Sequence, residues 1–196
     1  MPGDAIIQST TDTPDWASIP SPSDDGGAAH LPGFALPSVA LPATDGQLID
    51  LATLPGRTVV YAYPRTGQPG VPNPDGWDMI PGARGCTPQS CSFRDHFAEL
   101  QRLGAQRLFG LSTQDTAYQA EAANRLHLPF PLLSDAELHL TRAMRLPTME
   151  VAGMTLLCRL TLVLDAGRVT HAFYPVFTPD RSAQVVVDWL AAHPAG

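Results

Sequence analysis

The chain has 196 residues, 44% hydrophobic and only 16% charged, a globular composition in which a core of ordinary size can form without staples. Its net charge is −7 and all twelve cations are arginine, so a lysine Schiff base and a lysine-bearing phosphate loop are excluded, and nucleic acid is a poor partner for an acidic chain with scattered arginines. No apolar run reaches the ~18 residues of a membrane span, and Met1-Pro2-Gly3-Asp4 does not begin a basic-then-apolar leader, so a cytoplasmic protein without membrane contact is expected, in which three cysteines suggest metal or redox chemistry.

Residues 1–30 show no sustained period and are rich in Ser, Thr, Asp, Pro and Gly, which predicts a mobile arm with Trp16 docked loosely or not at all. From Leu31 the texture changes. Residues 34–37 and 39–41 read as short edge pieces, because proline removes ladder donors. Asp45-Gly46 is a turn signal before Leu48-Ile49-Asp50-Leu51. Arg57 to Tyr63, with Thr58-Val59-Val60-Tyr61, is a β-branched and aromatic run that predicts a central strand.

Residues 67–85 form a Gly- and Pro-rich insertion containing Trp77, read either as a lid with Trp77 as a wall or as a solvent-facing loop. A helix follows, with Thr87 as its cap and Pro88 in its first turn, where a missing N–H costs nothing. Phe93, Phe97, Leu100 and Leu103 make one apolar face of a helix that Gly104 ends. Next come a strand over 106–112, a helix over 116–126 and a short strand over 130–133. Asp135 then caps a helix to about Met144. Residues 154–164 read as one long apolar strand, turned by Asp165-Ala166-Gly167 into a partner over 168–174. A closing helix spans 180–193 with Val185, Val186, Trp189 and Leu190 inward. A βαβ unit leading to an antiparallel hairpin and a last helix is a thioredoxin-like α/β layout: a mixed central sheet flanked by helices on both faces.

Cys86 lies at the start of the helix that Pro88 marks, where unpaired N–H groups and the positive end of the dipole favour thiolate, the form that attacks. Arg84, two residues upstream, could add to this. A free cysteine is also often no more than a small buried hydrophobe, and residue type alone leaves both readings open. Cys86, Cys91 and His96 are five apart, each turned ~140° from the last on a helix, so they cannot share a face to hold zinc. Cys86 and Cys91 also lack the Cys-x-x-Cys spacing of a thioredoxin-type redox site. Cys158 adjoins Arg159 on a predicted strand and so faces the opposite way, as a packing residue.

The stretch Gly85-Cys86-Thr87-Pro88-Gln89-Ser90-Cys91-Ser92-Phe93-Arg94-Asp95-His96 resembles the peroxiredoxin segment that holds the peroxide-reacting cysteine. It is most like the bacterioferritin comigratory protein (PrxQ) branch, with a second cysteine five residues on. Val60-Tyr61-Ala62-Tyr63-Pro64, Leu128-Pro129-Phe130-Pro131-Leu132-Leu133-Ser134-Asp135 and Arg159-Leu160-Thr161-Leu162-Val163-Leu164-Asp165 resemble the family's neighbouring strands in order, over about residues 33–190. The resemblance implies Cys86 as peroxidatic nucleophile and Cys91 as resolving thiol. Arg159 would hold the sulfur ionised and polarise the peroxide, and Pro64 would shield it from water. It also implies a peroxide substrate, a thioredoxin-like reductant, no metal, haem or flavin cofactor, and a monomer in preference to a dimer. A thiol–disulfide carrier or a redox sensor would use the same cysteine pair.

One part departs from the family. Its usual Pro-x-x-x-Thr-x-x-Cys is split by the insertion, so that Ala83 stands three residues before Cys86 and Thr66 is the nearest hydroxyl after Pro64. Thr66 is therefore the candidate to contact the peroxide. Gln89 stands where many relatives carry glutamate.

Overall fold

The structure is a computed structural model that describes residues 15–195. A five-stranded sheet runs in the order β5 (Leu132–Ser134), β4 (Arg107–Ser112), β3 (Arg57–Ala62), β8 (Leu160–Asp165), β9 (Arg168–Phe173). β3, β4 and β5 are mutually parallel, whereas β8 is antiparallel to both β3 and β9. Two hairpins lie outside it: β1 (Ala40–Pro42) with β2 (Leu48–Asp50), closed at Asp45-Gly46, and β6 (Thr148–Val151) with β7 (Met154–Leu157). The thioredoxin-like mixed sheet expected from the element order is the fold observed.

Strand β3 is buried along its whole length, as a central strand covered on both faces must be. Its alternate residues divide between two cores. Val59 and Tyr61, with Tyr63 just beyond, pack with Phe93 of α1 (Cys86–Asp95), Leu100 of α2 (Phe97–Arg102) and Val186, Val187 and Leu190 of α5 (Ser182–Ala192). Val60 and Ala62 face the other way, into a core with Leu31, Leu111, Leu162 and Leu140 and Met144 of α4 (His139–Met144). The period-2 alternation of side chains on the strand builds both layers at once. α3 (Thr116–Arg125) is capped by Asp115, whose carboxylate accepts from Tyr118 N–H.

Several elements differ from expectation. The helix after the insertion begins at Cys86, not after a Thr87 cap, because Gly85 is its N-cap with φ 108°, a left-handed conformation that suits glycine. It breaks at His96, whose ring nitrogen Nδ1 bonds the Ser92 carbonyl and whose ψ of 4° is no longer helical. The apolar run 154–164 is two strands with Cys158-Arg159 between them. It reads as continuous because Leu157 and Leu160, on either side of the break, are both buried in the same core, although β7 pairs with β6 and β8 with β3 and β9. Asp135 caps α4 from a distance, its carboxylate accepting from Leu140 N–H, Thr141 N–H and the Thr141 hydroxyl. In α5 Val185 points outward and Val187 inward.

Of the mobile arm expected over residues 1–30, residues 1–14 lie outside the described residues, and the rest makes contacts with the globular part. Ala28 is buried, Asp25 accepts a 2.9 Å hydrogen bond from the Tyr174 hydroxyl, and His30 Nε2 bonds the Met144 carbonyl at 2.8 Å. The insertion is not a solvent-facing loop either. Trp77, in a short 3-10 turn (Trp77–Met79), is 5% exposed and packs with Ala83, Val151 and Leu156 on the β6–β7 hairpin. Trp77→Ala is expected to lower stability by about 3 kcal/mol or more, as deletion of a buried aromatic does. Urea unfolding followed by circular dichroism measures this; a shift of a few tenths would mean the cluster adds nothing to the fold.

Candidate active site

Cys86 is the first residue of α1 and 3% exposed. Its thiol donates to the Ala83 carbonyl at 3.6 Å, and Nη2 of Arg159 lies 3.3 Å from its Sγ. Arg159 comes from the bend between β7 and β8 and is 2% exposed. The same Nη2 lies 3.2, 3.4 and 3.1 Å from the carbonyls of Gly82, Ala83 and Arg84, and Nη1 donates to Gln89 Oε1. Among the described residues no carboxylate pairs with this guanidinium. A buried cation held only by neutral acceptors is costly, and its uncompensated positive charge lies beside the one remaining partner, the sulfur. The unpaired N–H groups at the start of α1 add partial positive charge at the same place.

Gly85 permits this arrangement sterically. A Cβ there would come within 2.6 Å of Pro179 and 2.7 Å of Trp16, so only glycine lets these rings close over the helix start. Beneath it, the Tyr61 hydroxyl donates to Ser90 Oγ at 3.1 Å, and the Tyr61 and Phe93 rings stack with centroids 4.4 Å apart. Burial pushes the Tyr61 phenol well above its ordinary range, so it stays a neutral donor.

The other predicted residues are distributed differently. Cys91 is half-buried on the next turns of α1, and burial raises its thiol pKa against the opposing pull of Arg94 and Arg125. All three cysteines are free. Thr66 is buried, but its N–H and hydroxyl both donate to Gln114 Oε1, at 2.9 and 3.3 Å, and its carbonyl accepts from Tyr118. None of its hydrogen bonds reaches Cys86. Pro64 is buried and its carbonyl accepts from Ser112 Oγ. Arg84 does not bring charge to the sulfur: its side chain pairs with Asp78 at 3.3 Å on the surface, and only its carbonyl joins the site.

Cys158 lies apart, beside Tyr174 and Asp25, its thiol pushed up to about 11 chiefly by burial. His96 Nε2 bonds Gln184 Oε1. Sequence reasoning singled out Gln89 only as a departure; the structure makes it a fully buried partner of Arg159, a role that its spacing of three from Cys86, on the same helix face, could have signalled. Trp16 and Pro179 carried no local signal.

A buried thiol at a helix N-terminus, touched by a guanidinium with no carboxylate partner, on a thioredoxin-like sheet, is an arrangement suited to a protein of thiol redox chemistry. Residues 31–187 match the Redoxin family model. The chain is 30% identical over 166 residues to peroxiredoxin Bcp of Escherichia coli strain K12, covering 82% of this chain and 96% of that one. It is 32% identical over 182 residues to the chloroplastic peroxiredoxin Q of Oryza sativa subsp. japonica, covering 90% and 76%. Peroxidoxin BcpB of Mycobacterium tuberculosis superposes with a TM-score of 0.67 at 25% identity, over 84% and 99% of the two chains. The chain belongs to the peroxiredoxin family, of the Q/Bcp type, whose members are thiol-dependent peroxidases.

Proposed function

We propose that the protein is a cytoplasmic monomer that reduces hydrogen peroxide and organic hydroperoxides through Cys86. The observation that carries this reading is the buried Arg159 guanidinium 3.3 Å from Cys86 Sγ, with no carboxylate to neutralise it. Full ionisation of an ordinary thiol at pH 7 gains only about 30-fold, roughly 2 kcal/mol. Fast peroxide reduction needs more, and the rest comes from donors aimed at charge that develops as the O–O bond breaks. This reading assigns that task to Arg159, 3.3 Å from the sulfur, and the N–H groups of α1, and not to Thr66, whose hydroxyl donates to Gln114 Oε1.

The Cys86 thiolate attacks one peroxide oxygen, the O–O bond breaks, and the departing oxygen takes a proton to leave as water or an alcohol. Cys86 becomes a sulfenic acid. The Cys91 thiolate then attacks that sulfur, forming the Cys86–Cys91 disulfide and expelling hydroxide, which leaves as water. A thioredoxin-like dithiol restores both thiols by exchange. Residues five apart on an intact helix have Cα atoms roughly 8.6 Å apart, beyond the ~6.8 Å a disulfide tolerates. Oxidation therefore unwinds α1 and lifts Phe93 from Tyr61, at a cost of about 2 kcal/mol in lost burial. Hydrogen exchange should speed up over residues 86–95 in the oxidised form and change little near Val163; equal protection, with the disulfide confirmed, would sink the unwinding step.

Stopped-flow consumption of hydrogen peroxide by reduced protein, with excess reduced thioredoxin, tests the whole reading. Multiple turnovers are expected. Disulfide exchange without peroxide consumption would instead make the chain a thiol–disulfide carrier or a sensor.

A further inference from the structure

The segment that begins at Trp16 passes over Gly85, the residue immediately before Cys86. Trp16 opens a short 3-10 turn (Trp16–Ser18) capped by Asp15, whose carboxylate accepts from Ala17 N–H at 3.1 Å. Its ring rests on Gly85, immediately before Cys86, together with Pro179. The chain then runs past Gly82 and Arg84, two of the residues whose carbonyls Arg159 holds. The crevice left between this segment, Gly82, Arg84 and Phe177 has a volume of about 20 Å³, room for about one water. Next to it, sharing Val176 and Phe177, lies a mostly apolar groove of about 340 Å³ lined also by Tyr174, Val185 and Thr161. That groove has room for a peroxide's organic part; Phe177 borders both spaces, and Trp16 lines the crevice beside Gly82 and Arg84.

We propose that Trp16 is the outer wall of the approach to Cys86 and sets the size of peroxide that reaches the sulfur, an inference that rests on the peroxidase reading above. Its indole N–H is buried without an acceptor. The ring is thus held by shape and apolar contact alone, and leaving its seat rehydrates that N–H. Hydrogen peroxide needs little more space than the crevice provides. A bulky hydroperoxide needs the indole moved aside, so the wall discriminates by the size of the organic group.

The test compares wild type, Trp16→Ala and Trp16→Phe. For each, kcat/KM is measured with hydrogen peroxide and with cumene hydroperoxide, and Cys86 of the reduced protein is alkylated with iodoacetamide and with the bulkier N-ethylmaleimide. Trp16→Ala should raise the cumene-to-hydrogen peroxide ratio at least fivefold and the maleimide-to-iodoacetamide ratio in the same direction. Trp16→Phe, which refills most of the seat, should return both ratios toward wild type. Unchanged ratios, or small and large reagents accelerated equally, would overturn the proposal, the second because it reports a loosened site and not a removed wall. If Trp16→Ala does not fold, Trp16→Leu and Trp16→Phe give the same size series. Alkylation reads the wall without peroxide turnover, so a wild type inert to hydrogen peroxide would refute the peroxidase reading and leave the alkylation ratios to judge the wall.

Discussion

Cys86→Ser is expected to lose peroxide reduction by at least ~10³-fold, in the range that removal of an enzyme's nucleophile costs, while the protein stays folded. Serine keeps the shape of the side chain. Its hydroxyl can still donate to the Ala83 carbonyl and accept from Arg159, so the buried site keeps its hydrogen bonds. What is lost is the thiol nucleophile, because a serine hydroxyl does not ionise usefully near neutral pH. The measurement is peroxide consumption by the reduced variant, with circular dichroism to confirm the fold. Residual activity at a tenth of wild type would mean that another thiol is the nucleophile. Cys158 is a poor substitute, since burial near Asp25 pushes its thiol up to about 11 and leaves little thiolate at pH 7.

Arg159→Ala should slow the peroxide step by two orders of magnitude or more, on the order of 3 kcal/mol, as for loss of one preorganised donor to a transition state. The guanidinium has two duties here, and the variant removes both. It brings positive charge to the sulfur, and it gathers the Gly82, Ala83 and Arg84 carbonyls and Gln89 around the start of α1. Losing the second duty leaves buried acceptors unpaired, at about 1–3 kcal/mol of stability. Arg159→Lys separates the two. An ammonium keeps the charge but cannot reach Gln89 and the sulfur through two prongs of one plane, so most of the rate loss should persist. Stopped-flow rates with hydrogen peroxide decide: a lysine variant at wild-type speed would show that charge alone matters, and an alanine variant at wild-type speed that Arg159 is structural only.

Much of the site was legible because its chemistry is local. A cysteine one residue after a glycine and two before a proline, followed by a helical apolar face, already places a thiol among unpaired N–H groups. The buried run Thr58-Val59-Val60-Tyr61 and the capped helix after Asp115 were legible for the same reason: periodicity and capping act within a few residues. The insertion showed its composition but not its role, since what Trp77 packs against lies some seventy residues on, in the β6–β7 hairpin.

By itself, then, the sequence determined the central strands, the thiol at the head of its helix and the family to which the motifs belong. Only the tertiary structure decided what surrounds that thiol. Arg159 meets Cys86 across 73 residues of chain, at the point where the apolar run 154–164 passes from one sheet to another, a break that a uniform stretch of hydrophobic side chains does not encode. Trp16 meets Gly85 because a glycine in the left-handed region leaves space that no Cβ fills. Thr66 is satisfied by Gln114, so which hydroxyl is free depends on side chains that only the fold assembles. Local sequence sets backbone preferences and burial periods; which groups are left unpaired, and beside which sulfur, is settled where distant segments meet.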